Sequence, residues 1–181
     1  MSVCPETILQ FWFDEIEPKA WWVKDATFDQ TVKQRFEPIL TQAKRGEFYH
    51  WRTSPRGRLA EIIILDQFSR NIYRDTPQAF AADAMALALA QEAVAHHIES
   101  ELTPQQIQFL YMPFMHSESP AIHQVAETLF RRDAVKDNLD FELRHKAIID
   151  RFGRYPHRNN ILGRESTTEE LAFLTQPGSS F

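Results

Sequence analysis

Cysteine occurs once in this 181-residue chain, at Cys4. That excludes an intramolecular disulfide framework and a zinc site built from several thiolates. Glycine is also scarce, with five residues, none in a P-loop or dinucleotide-binding pattern. Nucleotide binding of those kinds is therefore not expected. The longest aliphatic run, Ile62 to Leu65, is far too short to cross a bilayer. No basic segment leads into an apolar stretch at Met1 to Glu6, so no signal peptide is expected and the cytoplasm is the default location. The formal charge of −5 argues against a nucleic-acid binder. No stretch alternates with period two for long enough to make a strand.

What remains is helix. Hydrophobic residues make up 43 % of the chain, enough for one folded domain spanning residues 1–181. Ser54-Pro55, Thr76-Pro77, Thr103-Pro104 and Ser119-Pro120 each set a capping hydroxyl before a proline suited to the first helical turn. Thr103 with Gln106, and Ser166 with Glu169, have the spacing of a capping box. These signals predict helices from Pro5 to Phe13, from Asp25 or Thr27 to Gly46, and from Pro55 to Tyr73. Others are predicted from Pro77 to Ile98, Pro104 to Glu118, Pro120 to Arg132, and Asp137 or Asn138 to Phe152, with a short last one from Ser166. Pro38 should kink or split its helix, and Pro113 should bend or end its own. Gly153 stops one helix, Arg154 to Asn160 reads as a loop or short helix, and Gln176 to Phe181 reads as a loose tail. Nine alanines between Ala79 and Ala95 suit a helix packed on more than one side.

The stretch from Ile62 to Arg74 holds the chain's main anomaly. On a 3.6-residue period, Leu59, Ile62, Ile63, Asp66, Arg70 and Tyr73 share a stripe. Two charges interrupt an apolar face. A charge removed from water costs several kcal/mol unless paired and hydrogen-bonded. Asp66 and Arg70 are spaced to meet each other. They read either as a staple between helices or as a pocket wall in which Arg70 faces an anion. Asn71 adds a donor nearby.

Further polar groups stand near helix ends: His116, Ser117 and Glu118 beyond Pro113, and His157, Arg158 and Asn159 beyond Gly153. His145 sits on an otherwise apolar stripe with Phe141, Ile148, Ile149 and Phe152. The segment from Arg144 to Arg164 carries six basic residues, Arg151 among them, against Asp150 alone. It reads either as an anion-binding surface or as internal pairing with acidic helices elsewhere. The spacing of His116, Glu118, His123, His145 and His157 matches no familiar metal-ligand pattern, and no Gly-x-Ser-x-Gly elbow surrounds Ser117. Neither a metal nor a cofactor is expected. Acid–base chemistry by His116, Glu118 or His145 stays open.

Three long motifs, Leu65 to Arg74, Phe109 to Glu118 and Arg151 to Asn159, together resemble the bacterial domain-of-unknown-function family numbered 924. Phe11-Trp-Phe, Trp21-Trp22 and Ile161 to Glu170 fit as well. Ser69 departs from the proline expected there in many members. The resemblance implies an all-α fold, roughly eight to ten antiparallel helices like a tetratricopeptide superhelix. It implies no activity. It strengthens the expectation that Asp66, Arg70, Asn71, His116, Ser117, Glu118, His145, Arg151, His157, Arg158 and Asn159 meet in space. Read together, the residues suggest a pocket for a small anionic molecule or an acidic peptide. An enzyme with His/Glu acid–base chemistry and a protein–protein scaffold with internal staples are the alternatives.

Overall fold

In the computed structural model, which describes residues 3–181, capping chemistry sets most helix starts. Met1 and Ser2, part of the segment read for a leader, lie outside the described residues. Helix α1 spans Pro5–Gln10 and passes into a π turn at Phe11–Glu15. Helix α2, Ala26–Lys44, starts where Asp25 accepts from the backbone N–H groups of Thr27 and Phe28. Pro38 neither splits nor ends α2. The carbonyl that Pro38 frees belongs to exposed Gln34, so water can satisfy it. Buried Val32, Phe36, Leu40 and Ala43 hold the helix through that point.

Helix α3, Pro55–Ile63, is capped by Ser54. It continues through a π turn at Ile64–Phe68 into α4, Ser69–Ile72. All five residues of the π turn are buried. The N-terminal end of α3 comes so close to the preceding segment that a Cβ on Gly57 would lie 2.0 Å from the Trp51 carbonyl oxygen. Helix α1 packs on α3, and α2 packs on the π turn and α4.

Helix α5, Asp83–Ala95, begins later than expected. Pro77–Ala79 makes only a 3₁₀ turn, and Asp83 supplies the acid in the first turn of the helix proper. Helix α6, Pro104–Met115, has the Thr103–Gln106 capping box and ends at Met115 rather than Glu118. Pro113 stays inside it. Helix α7 spans Pro120–Phe130, without a side-chain cap from Ser119, and α8 spans Leu139–Phe152. Gly153 closes α8 in the left-handed region, φ +67°. Helix α9, Thr168–Leu174, is capped by Thr167 with Glu170, one residue beyond the expected Ser166 with Glu169. Buried Glu170 faces Arg154 and Asn159, whereas Glu169 is exposed, so tertiary pairing selects the box.

No strand occurs among the described residues, and the fold is a single all-α domain. Helices α5 and α6 flank α3, and α6, α7 and α8 pack in succession. One core joins Trp12, Phe36, Phe68 and Phe109 around the π turn. A smaller cluster holds Ile148, Ile149 and Tyr155.

Candidate functional site

The π turn directs Asp66 into the protein, and its neighbours surround it with donors. Gln67 Nε2 donates to Oδ2 at 2.6 Å. Arg70 Nη1 lies 3.1 Å from Oδ1, and His116 Nδ1 lies 2.8 Å from the same oxygen. Burial alone would raise the Asp66 carboxyl, but Arg70 and His116 more than offset it and hold the group below the usual carboxylate range. The carboxylate therefore accepts from Nδ1–H of His116. That leaves Nε2 of the neutral ring as a lone-pair acceptor. Burial, and then Arg70, push His116 below its ordinary value, which favours the neutral ring.

Arg70 extends the network outward. It donates to both carboxylate oxygens of Asp83, at 2.9 and 3.0 Å. Asp83, Glu118 and Arg158 meet at a cavity of about 420 Å³, within the small-molecule range. His116 and Ser117 line it, and Phe80, Ala84, Leu87 and Leu162 give it an apolar wall. Glu118 accepts from Arg164 at both oxygens and from the backbone N–H of Tyr155. Burial would raise Glu118; the hydrogen bonds from Arg164 and Tyr155 bring it below its ordinary value.

Arg158 is the exception. It is 6 % exposed, yet its Nε has no hydrogen-bond partner among the described residues. Its Nη1 stands 3.6 Å from Asp83 Oδ2, beyond hydrogen-bonding distance. The guanidinium is packed between the rings of Phe80 and Tyr155, each 4.6 Å away. Burial, and then Arg70, push Arg158 down to about 10.

Behind the cavity, His123 and Glu142 are both fully buried and bonded at 2.7 Å. His123 Nε2 donates to the carbonyl of Ser117 at 2.9 Å, which fixes the 116–118 turn against α7.

Asp66, Arg70, His116, Ser117, Glu118 and Arg158 thus come together, and Asn159 stands one bond behind, accepting from Arg164. Four expected members lie elsewhere. Asn71 donates to Asp29, which Arg74 also engages, on the α2 side. Arg151 pairs with Glu169 at the surface. His145 donates to the Phe141 carbonyl and stacks on Phe181, with ring centroids 3.7 Å apart. His157 packs near Tyr155 and Phe181, and its Nδ1 has no partner among the described residues. Asp83, Gln67 and Arg164 were absent from the expected set. A lone acid near the start of the alanine-rich run was the available signal for Asp83, and the end of the basic segment was the signal for Arg164.

The family described as "Bacterial protein of unknown function (DUF924)" matches residues 8–178. The chain is similar to a solved structure titled "Structure of Protein of Unknown Function ATU0120 from Agrobacterium tumefaciens". The two share 36 % identity and a TM-score of 0.89, over 94 % of this chain and 96 % of that one. No curated protein matches the chain.

Proposed function

We propose that this chain, which belongs to the bacterial DUF924 family, binds a small anion in the cavity beside α5 and α6, with Arg158 as the recognising cation. The ligand class is a carboxylate, a phosphate or the acidic end of a peptide. The observation that carries this reading is a buried guanidinium whose Nε has no hydrogen bond among the described residues, on a residue that lines a cavity. Buried polar groups are almost always satisfied, and a buried donor left without an acceptor is costly. An anion at that edge would supply the missing acceptors. The carboxylates on the cavity wall do not fill this role, since Arg70 holds Asp83 and Arg164 holds Glu118.

A thermal-shift panel tests the reading. Acetate, inorganic phosphate and a short peptide with an acidic C-terminus are compared at equal ionic strength. At least one should raise the melting temperature of the wild type and leave Arg158→Met unmoved. No shift with any anion, or equal shifts in the variant, contradicts the reading.

A second reading rests on His116. With Nδ1 bonded to Asp66 and Nε2 free, it has the arrangement of an orienting carboxylate and a general base. Such an enzyme would require a site histidine whose titration responds to a bound ligand. A His116 resonance that ligands leave unchanged removes this alternative. The succession of packed helices α5 to α8 also supports likening the array to tetratricopeptide repeats. No helix among the described residues is long and apolar enough to cross a membrane, and the proposal places the protein in the cytoplasm.

A further inference from the structure

We propose that the occupant of the cavity is a small zwitterion, an α-amino acid with an apolar side chain. This inference rests on the anion-binding reading and narrows it. Its first support is charge. Asp66, Asp83 and Glu118 are balanced by Arg70, Arg158 and Arg164, and the His116 ring is neutral. A bound monoanion would leave this group of side chains with net negative charge, and a dianion would do so twice over. A zwitterion adds none.

The second support is the complementarity of unsatisfied groups. Arg158 offers an Nε–H with no acceptor among the described residues, which suits a carboxylate. His116 offers the reverse. Its Nδ1–H is committed to Asp66, whose other contacts, with Gln67 and Arg70, are donors as well. The Nε2 lone pair accepts no hydrogen bond from the described residues and lies on a residue that lines the cavity. It calls for a donor, which an ammonium supplies. Asp83 and Glu118 on the same wall attract that ammonium and repel a phosphate dianion.

The third support is the remaining surface. Phe80, Ala81, Ala84, Leu87 and Leu162 provide an apolar wall that neither charged end of the ligand can use. A hydrocarbon side chain can.

Titration calorimetry at pH 7 tests the inference with L-leucine, L-valine and L-phenylalanine. Comparison ligands are 4-methylpentanoate, which lacks the amine of leucine; leucinamide, which lacks its carboxylate; and inorganic phosphate. At least one of the three amino acids should bind the wild type. For leucine's two analogues, and for phosphate, affinity should be at least tenfold below that of the best amino acid. Arg158→Met should abolish amino-acid binding. Equal binding of leucine and 4-methylpentanoate, both lost in Arg158→Met, would overturn the zwitterion and leave the anion-binding reading standing. Tightest binding by phosphate would do the same. Absence of binding by all six compounds would overturn both.

Discussion

Replacing Arg158 by methionine should make the ligand-free protein more stable, the opposite of what a structural staple would show. The guanidinium lies at a burial of 6 % exposure, and its own environment disfavours its charge. The drop from 12.5 to about 10 corresponds to roughly 3 kcal/mol against the charged form. That penalty already includes the attraction of Asp83 and Glu118. Methionine removes it. The loss is the packing of the cation on Phe80 and Tyr155, about 0.5–2 kcal/mol for each ring, and the thioether recovers part of this. Asp83 is not orphaned, because Arg70 still donates to both of its oxygens. The net expectation is a gain of about 1–2 kcal/mol, or roughly 4 °C in melting temperature for a chain of this size. Urea denaturation at pH 7 in ligand-free buffer measures it. A loss of about 2 kcal/mol or more would refute the reasoning and make Arg158 part of the scaffold. The expected pattern, greater stability with lost binding, is the trade-off seen where function keeps a costly group in place.

Two further expectations concern the buried polar groups. Burial holds His145 at about 3 and His157 at about 4, against an ordinary 6.5. The unfolded chain therefore binds more protons below pH 6.5, and stability falls as pH falls. From pH 6.5 to 4.5 these two histidines cost roughly 5 kcal/mol together, comparable to the lower range of whole-domain stabilities. His116, lowered chiefly by burial, adds to the loss; Glu142, raised chiefly by burial, opposes it. Urea unfolding at pH 7.5 and 4.5 should show the loss, and a His145→Gln/His157→Gln double variant should show much less of it. A flat wild-type profile contradicts this. Asp66→Asn should destabilise by about 3 kcal/mol at pH 7, the lower end for breaking a buried pair, because Arg70 keeps Asp83. The folded Asp66 carboxyl is below its ordinary 3.8, so its contribution is intact at pH 7 and is lost only as pH falls below that value. An unchanged denaturation midpoint for Asp66→Asn would show that the network holds nothing.

The helices were legible because their start signals are local. Asp25, Ser54 and Thr103 each bond to a backbone N–H two or three residues on, and no distant residue decides the outcome. Ser166 and Thr167 are indistinguishable as caps in the sequence, because each is followed three residues on by a glutamate, and only Arg154 and Asn159 distinguish Glu170 from Glu169. The π turn at Ile64–Phe68 leaves no compositional mark, and a 3.6-residue period runs through it unchanged in the sequence. Asp66 and Arg70 were still recognisable as misplaced charges, since burial and charge conflict whatever the exact turn. Their partner Asp83 was not, because side chains 13 positions apart meet only through the packing of α5 against the π turn. The basic segment resolves in the same way. Arg154 and Arg164 find Glu170 and Glu118 across the fold, and what distinguishes Arg158 is a longer 3.6 Å approach to Asp83 and an Nε with no hydrogen bond among the described residues.

The most direct test of that distinction is diffraction from crystals soaked in sodium bromide. Data collected at the bromine absorption edge would locate the anion without any assumption about the natural ligand. The account predicts an anomalous peak in hydrogen-bonding contact with the Arg158 guanidinium, inside the cavity, and none there in Arg158→Met. An empty cavity in the wild type, with Arg158 turned to bond Asp83 or Glu118 directly, would contradict it.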